Sequence, residues 1–267
     1  MANISIGTAG FFYKDWIGPF YPKKILQTDY IEYFSKFFNL VEINSTFYNL
    51  PSEDMVINWK HRVPEDFRFI IKMWSRISHN LDDQNLDTFI FDFFTRLSPL
   101  KSKIIGFLIQ FPPWFKHSES HLEKLEVLLN NFPSEYKYII ELRDNSWYNS
   151  EILSKFIDGE RIIFGTTYMP GIIPYYMQNQ KYYYIRMIGD RELNRFNRIQ
   201  REQHESLEDL YKNVKELNKT PNIYEIFIIV NNHFQGFAPE SVNMIKRKFG
   251  LPFHKFSNQT RLIDFIP

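Results

Sequence analysis

The chain has 267 residues, with 32 Lys and Arg against 31 Asp and Glu, a formal net charge of +1 that excludes a protein which coats polyanions with its whole surface. It has no cysteine, so disulfides, thiolate nucleophiles and Cys-bound zinc or iron–sulfur clusters are excluded. No run approaches the ~18 apolar residues of a membrane span, and the first residues, Met1-Ala2-Asn3-Ile4, lack the basic and apolar regions of a signal peptide, so a cytoplasmic protein without membrane contact is expected.

Eight short apolar runs rich in β-branched and aromatic residues recur along the chain, at 4–7, 40–44, 67–72, 104–110, 137–142, 162–166, 182–187 and 225–230. They are continuous rather than alternating, the pattern of strands covered on both faces. After the first run comes an aromatic loop with Tyr13, Trp16, Phe20 and Tyr21. A helix is predicted over 28–38, with Tyr30, Ile31, Phe34, Phe37 and Phe38 on one side. Another opens at Ser52, where Met55, Val56 and Trp59 recur at helical spacing. Further helices are predicted over 86–97, 120–132, 202–217 and 239–249, the last with Pro239 in its first turn. Between the sixth and seventh runs Pro170, Gly171 and Pro174 argue against a crossover helix. Eight strands alternating with helices indicate an α/β fold, a TIM-like (β/α)8 barrel with an irregular unit between the sixth and seventh strands. No linker, low-complexity tract or repeat interrupts it, so residues 1–267 read as one domain.

Each apolar run ends in polar residues. Side chains alternate along a strand, which places Glu42 and Asn44 on one face, Glu141 and Arg143 on one face, and Asn231 and His233 on one face with Asn232 opposite. Lys72, Gln110 and Arg186 close their own runs. The outer face of a barrel strand packs on apolar helices, so these charges belong inside, near the C-terminal mouth where barrel enzymes build their sites. Glu42 and Glu141 then face Lys72, Arg143 and Arg186, a ring with one excess positive charge. Ion pairing alone is the competing structural reading.

The blocks from Gly7 to Pro22, from Val41 to Tyr48 and the following Leu50-Pro51-Ser52 resemble those of the YecE-like family, domain of unknown function 72. So do Lys72 with Ser78-His79, Gln110 to Pro113, Glu141 to Arg143 with Ser146-Trp147, and Asn231-Asn232-His233 with Gly236. The resemblance runs from the first strand to the last and implies a TIM-barrel-like fold without implying an activity. The chain has Ala9-Gly10-Phe11 where the family pattern has Ser-Gly-Trp, and Arg186-Met187-Ile188-Gly189 where it has Arg-Leu-His-Gly.

Other features have two readings each. Tyr13 and Trp16 either wall a sugar or base site or staple their loop to the rim. Arg191, Arg195 and Arg198, at helical spacing, form either a phosphate strip with Arg186 and Arg201 or a solvated face paired with Glu192, Glu202 and Glu205. Gly236 ahead of the last helix offers N–H groups to an anion. His117 and His121, four apart, lack a third ligand, so no metal is expected. P-loop, dinucleotide and serine-hydrolase signatures are absent from the sequence.

The resulting expectation is an enzyme needing no cofactor, a hydrolase or isomerase for a small anionic, phosphorylated or sugar-like ligand. Glu42 and Glu141 serve as acid and base, with Lys72 and Arg143 stabilising charge. Arg186, Tyr13, Trp16, Asn44, Tyr48, Gln110, Trp147, Asn231, Asn232 and His233 bind substrate, and Arg186 is central to holding the anion. A non-catalytic nucleotide or nucleic-acid module, the less favoured partner class, and an interaction scaffold are the alternatives.

Overall fold

The computed structural model of the protein describes residues 1–256. Each apolar run forms a strand: β1 Asn3–Ala9, β2 Leu40–Ile43, β3 Arg68–Lys72, β4 Ile104–Phe111, β5 Tyr138–Leu142, β6 Ile162–Tyr168, β7 Tyr182–Met187 and β8 Glu225–Val230. Neighbours in sequence pair in parallel, and β1 pairs with β8 from Asn3↔Glu225 to Thr8↔Val230, so the sheet closes on itself. The helices between them are α1 Tyr30–Ser35, α2 Glu53–His61, α3 Ser75–Ser78, α4 Leu86–Leu97, α5 Glu119–Asn130, α6 Ser150–Leu153, α7 His204–Leu217, α8 Asn232–Gln235 and α9 Ala238–Lys248. This is a TIM-like barrel.

The predicted helices are present with trimmed ends. Residues 27–29 are a separate 3-10 turn, so α1 is shorter than its apolar stripe. Gln203, with φ 53°, breaks the helix predicted from 202, and α7 starts one residue later. Ser52 caps α2 by accepting the Met55 N–H at 3.2 Å. Residues 169–181, between β6 and β7, contain no helix, as their Pro and Gly content predicts.

Strand alternation divides the core in two. Outward residues such as Val41, Ile43, Phe69, Ile71, Phe107 and Ile109 pack against the helices. Inward residues form a separate layer of Ala9, Leu40, Ile70, Leu108, Ile139, Ile163, Tyr184, Phe227 and Ile229. Gly7 is required beside this layer: a Cβ there would lie 2.2 Å from the Leu40 carbonyl oxygen, so only glycine lets β1 and β2 approach. Below the apolar layer Arg68 bridges Glu225 at 2.6 Å and Ser5 at 2.5 Å, closing the N-terminal end. Above it lie the charged residues that end β2, β3, β5 and β7.

Candidate functional site

Strand period places Glu42, Lys72, Gln110, Glu141 and Arg186 one inward step above the apolar layer, and Arg143 one further step along from Glu141. All six are buried, and both glutamates are 0% exposed. Arg186 binds Glu42 with two nitrogens, Nε to Oε2 at 2.9 Å and Nη2 to Oε1 at 2.7 Å. Its third nitrogen, Nη1, reaches Glu141 Oε2 at 2.5 Å. Arg143 Nε donates to the other Glu141 oxygen at 2.7 Å, and the Tyr184 hydroxyl donates to Glu42 Oε2. Four carboxylate oxygens are thus held by two guanidinium groups and a phenol.

Lys72 stands apart from this network. Its Nζ donates to the neutral Gln110 Oε1 at 2.9 Å and lies 4.1 Å from the Phe47 ring centroid. Among the described residues no carboxylate pairs with it. Burial, assisted by the charge of Arg186, lowers its pKa to about 7. Lys72 is therefore the excess cation of the ring and its group with a proton to exchange near neutrality. Burial pushes the Glu141 carboxyl up, but Arg186 and Arg143 outweigh it and hold the group at about 2. Glu141 is thus a fixed anion at neutral pH. The expected acid/base pair of two glutamates does not match this arrangement, because both are tied up as hydrogen-bond acceptors.

Two further groups, neither expected to bind substrate, join the site. His79 packs edge-on against Phe47 at 5.1 Å, and its Nδ1 lies 2.9 Å from Ser78 Oγ. Burial and the charges of Lys72 and Arg143 push its pKa down to about 4, leaving a neutral imidazole. Thr167 enters the same layer from β6, beside Arg186 in register; its buried hydroxyl has no hydrogen-bond partner among the described residues.

A family model described as "Protein of unknown function DUF72" matches residues 5–262. The chain belongs to the DUF72 family. It is 34% identical to the UPF0759 protein YecE of Escherichia coli K12 over 118 residues, a match spanning 44% of this chain and 43% of that relative. Against the UPF0759 protein YunF of Bacillus subtilis it is 24% identical over 267 residues, covering 89% and 92%. A crystal structure of a DUF72 family protein from Thermotoga maritima superposes with TM-score 0.77 at 26% identity, covering 93% of this chain and 99% of that one. One from Enterococcus faecalis gives 0.75 at 22%, covering 94% and 99%, and speaks to the fold alone.

Several residues expected to bind substrate in this DUF72 protein stand elsewhere. Trp16 is fully buried, packs on Phe34 and Phe20, and donates to Asn232 Oδ1 at 3.1 Å. Trp147 is fully buried, stacks on Phe115, and donates to the Phe115 carbonyl at 2.7 Å. Both are core residues. Asn231 and His233 are not a strand pair: β8 ends at Val230, and the Asn231 side chain caps α8 by accepting the His233 N–H at 3.0 Å. Asn232 Oδ1 also accepts the Ala238 N–H at 2.9 Å and the Asn232 carbonyl accepts the Gly236 N–H at 2.6 Å, so these two donors ahead of and at the start of α9 are already used within the protein. Residues 191–201 are irregular rather than helical, and Arg201 pairs with Asp190 and Glu192. Arg186, expected to hold an anion, spends three nitrogens on Glu42 and Glu141.

Tyr13, Asn44 and Tyr48 do reach the rim. The half-buried Tyr13 donates to the Ala9 carbonyl at 2.8 Å, and burial with the nearby Glu42 charge raises its pKa to about 12. Tyr48 is 71% exposed. Tyr13 and Asn44 also edge a groove of about 670 Å³ between the β1 loop, α1 and α2, lined by Phe12, Ile31, Met55 and Trp59. None of Glu42, Lys72, Gln110, Glu141, Arg143 and Arg186 lines this groove. Among the described residues no group of three or more His, Asp or Glu is placed to hold a metal ion, and no helix is long and apolar enough to cross a membrane.

Proposed function

We propose that this DUF72 protein is an acid/base enzyme, an isomerase or hydrolase, acting on a small anionic substrate at the C-terminal mouth of the barrel. The observation that carries this reading is the division of labour in the ring. Arg186 and Arg143 together neutralise Glu42 and Glu141, while Lys72 is buried against a neutral amide without a carboxylate partner among the described residues. Such an amine costs stability when charged, and an arrangement of this kind belongs to working sites more than to structural ones. Lys72 is the proton-transfer group, poised near operating pH.

Arg143 anchors the anion. Only its Nε is committed, to Glu141, and Nη1 and Nη2 have no hydrogen-bond partner among the described residues. Their planar fork suits carboxylate or phosphate. Glu42, Glu141, Arg186 and Tyr184 form the rigid frame that fixes this geometry. Gln110 orients Lys72, and the Thr167 hydroxyl is free to meet a ligand oxygen.

Calorimetric titration with phosphate, sulfate and a sugar phosphate tests the reading. Binding should weaken roughly 10- to 150-fold in Arg143→Met, the equivalent of one charge-assisted hydrogen bond of about 1.5–3 kcal/mol. Equal anion affinity in wild type and Arg143→Met, or no anion binding by the wild type, would overturn it.

A further inference from the structure

We propose that Lys72 is a covalent nucleophile, whose ε-amine condenses with the carbonyl of an anionic aldehyde or ketone and holds it as an imine. This deepens the reading of the mouth as an acid/base site and rests on it. It names the substrate class: a carbonyl compound carrying a carboxylate or phosphate.

Three groups at the mouth, from the ends of β3 and β5 and from the α3 C-cap, supply what the condensation needs. The nucleophile is Lys72, at the end of β3, with its Nζ bonded only to the neutral Gln110 Oε1 at 2.9 Å and set against the Phe47 face at 4.1 Å. A carboxylate partner would keep the amine protonated and without a lone pair; among the described residues none is within ion-pair reach. The proton carrier is His79, placed against the same Phe47 ring at 5.1 Å. Its Nδ1 faces Ser78 Oγ at 2.9 Å, and its Nε2 has no partner among the described residues. The anchor is Arg143, beyond β5, whose two terminal nitrogens are uncommitted. Lys72 and His79 share the Phe47 ring, and the charges of Lys72 and Arg143 both act on the His79 imidazole.

The chemistry balances without an oxidant or reductant. The amine lone pair adds to the carbonyl carbon, the C–N bond forms, and the C=O π pair moves to oxygen. The nitrogen loses a proton to His79 Nε2, and the oxygen takes it up to give a carbinolamine. The second nitrogen proton follows the same route to the hydroxyl as the C–O bond breaks. Water leaves, and a neutral imine remains.

Reductive trapping tests this. The wild-type protein is incubated at pH 7 with glyoxylate and cyanoborohydride, or with acetaldehyde and cyanoborohydride, and the adducts are mapped by peptide mass spectrometry. An exposed lysine has only about one neutral amine in two thousand at this pH, against roughly half for an amine titrating at 7. Glyoxylate should therefore label Lys72 at least about tenfold more than the exposed Lys24 and Lys155. Arg143→Met should lose the preference for glyoxylate over acetaldehyde at Lys72. Labelling of Lys72 no greater than at Lys24 would overturn the imine. If Lys72 acylation nevertheless titrates near pH 7, the failure belongs to the imine alone and the base reading stands. If that titration is also absent, the reading of the mouth fails with it.

Discussion

Arg186 grips Glu42 along one full edge of its guanidinium, Nε to Oε2 at 2.9 Å and Nη2 to Oε1 at 2.7 Å, across 144 residues of sequence. Together with Nη1 on Glu141 this makes Arg186 the centre of a buried network. Removing one partner of such a network strands charge in a low-dielectric interior. Arg186→Met should thus destabilise the protein by about 3–5 kcal/mol in urea unfolding at neutral pH, with no anion added. A variant as stable as wild type that had lost its response to phosphate would make Arg186 a ligand residue instead.

Tyr184 completes the cage around Glu42, and burial and the Glu42 charge push its phenol well above its ordinary pKa. Tyr184→Phe leaves Glu42 with its two Arg186 bonds and removes one charge-assisted hydrogen bond. The expected loss is about 1.5–3 kcal/mol, smaller than for Arg186→Met, and the double variant should show non-additive coupling. Strict additivity would mean that the two groups do not act on a shared carboxylate.

The barrel was legible because its strands are continuous apolar runs and their charged ends share one phase. That same phase brings Glu42, Lys72, Gln110, Glu141 and Arg186 together. Glu141 and Arg143, two apart on one strand face, pair as their spacing allows, but that Arg186 rather than Lys72 serves Glu42 was not legible, because it depends on how β2, β3 and β7 face one another across the closed barrel. Tyr184 was overlooked as one more aromatic in an apolar run, although it sits two residues before Arg186 and so on the same face. Trp16 and Trp147 have the composition of a ligand wall and the burial of a core, and composition does not separate these. Asn231 continues the strand pattern of β8, yet asparagine is also a strong helix cap, and the cap prevails once pairing stops at Val230.

Lys72 makes a pH-dependent contribution of known sign. Above about pH 7 the native state has released its proton, whereas the unfolded chain keeps it until near its ordinary value of 10.5. The unfolded state then binds more protons, so stability rises with pH, by at most about 1.4 kcal/mol per unit for this group. Lys72→Met removes the term. Its stability relative to wild type should be highest at pH 6 and fall steadily up to pH 9, measured by denaturant titration at each pH. A difference that stays flat would show Lys72 to be an ordinary lysine.

Gly7 tests the barrel seam. A Cβ 2.2 Å from the Leu40 carbonyl oxygen meets backbone rather than a flexible side chain. Gly7→Ala should cost at least roughly 1–3 kcal/mol by pushing β1 off β2, and hydrogen exchange should rise at the amides of these two strands first. Unchanged stability would contradict the close approach.

The proposal makes Lys72 a readily deprotonated amine, without a carboxylate partner among the described residues. Competitive acetylation of the native protein across pH 5–11, quantified peptide by peptide, reads this directly. Lys72 should react with a midpoint near pH 7, more than three units below the ordinary value of 10.5 for a lysine amine. A Lys72 midpoint at or above those of the exposed lysines would show it to be an ordinary, protonated lysine at neutral pH.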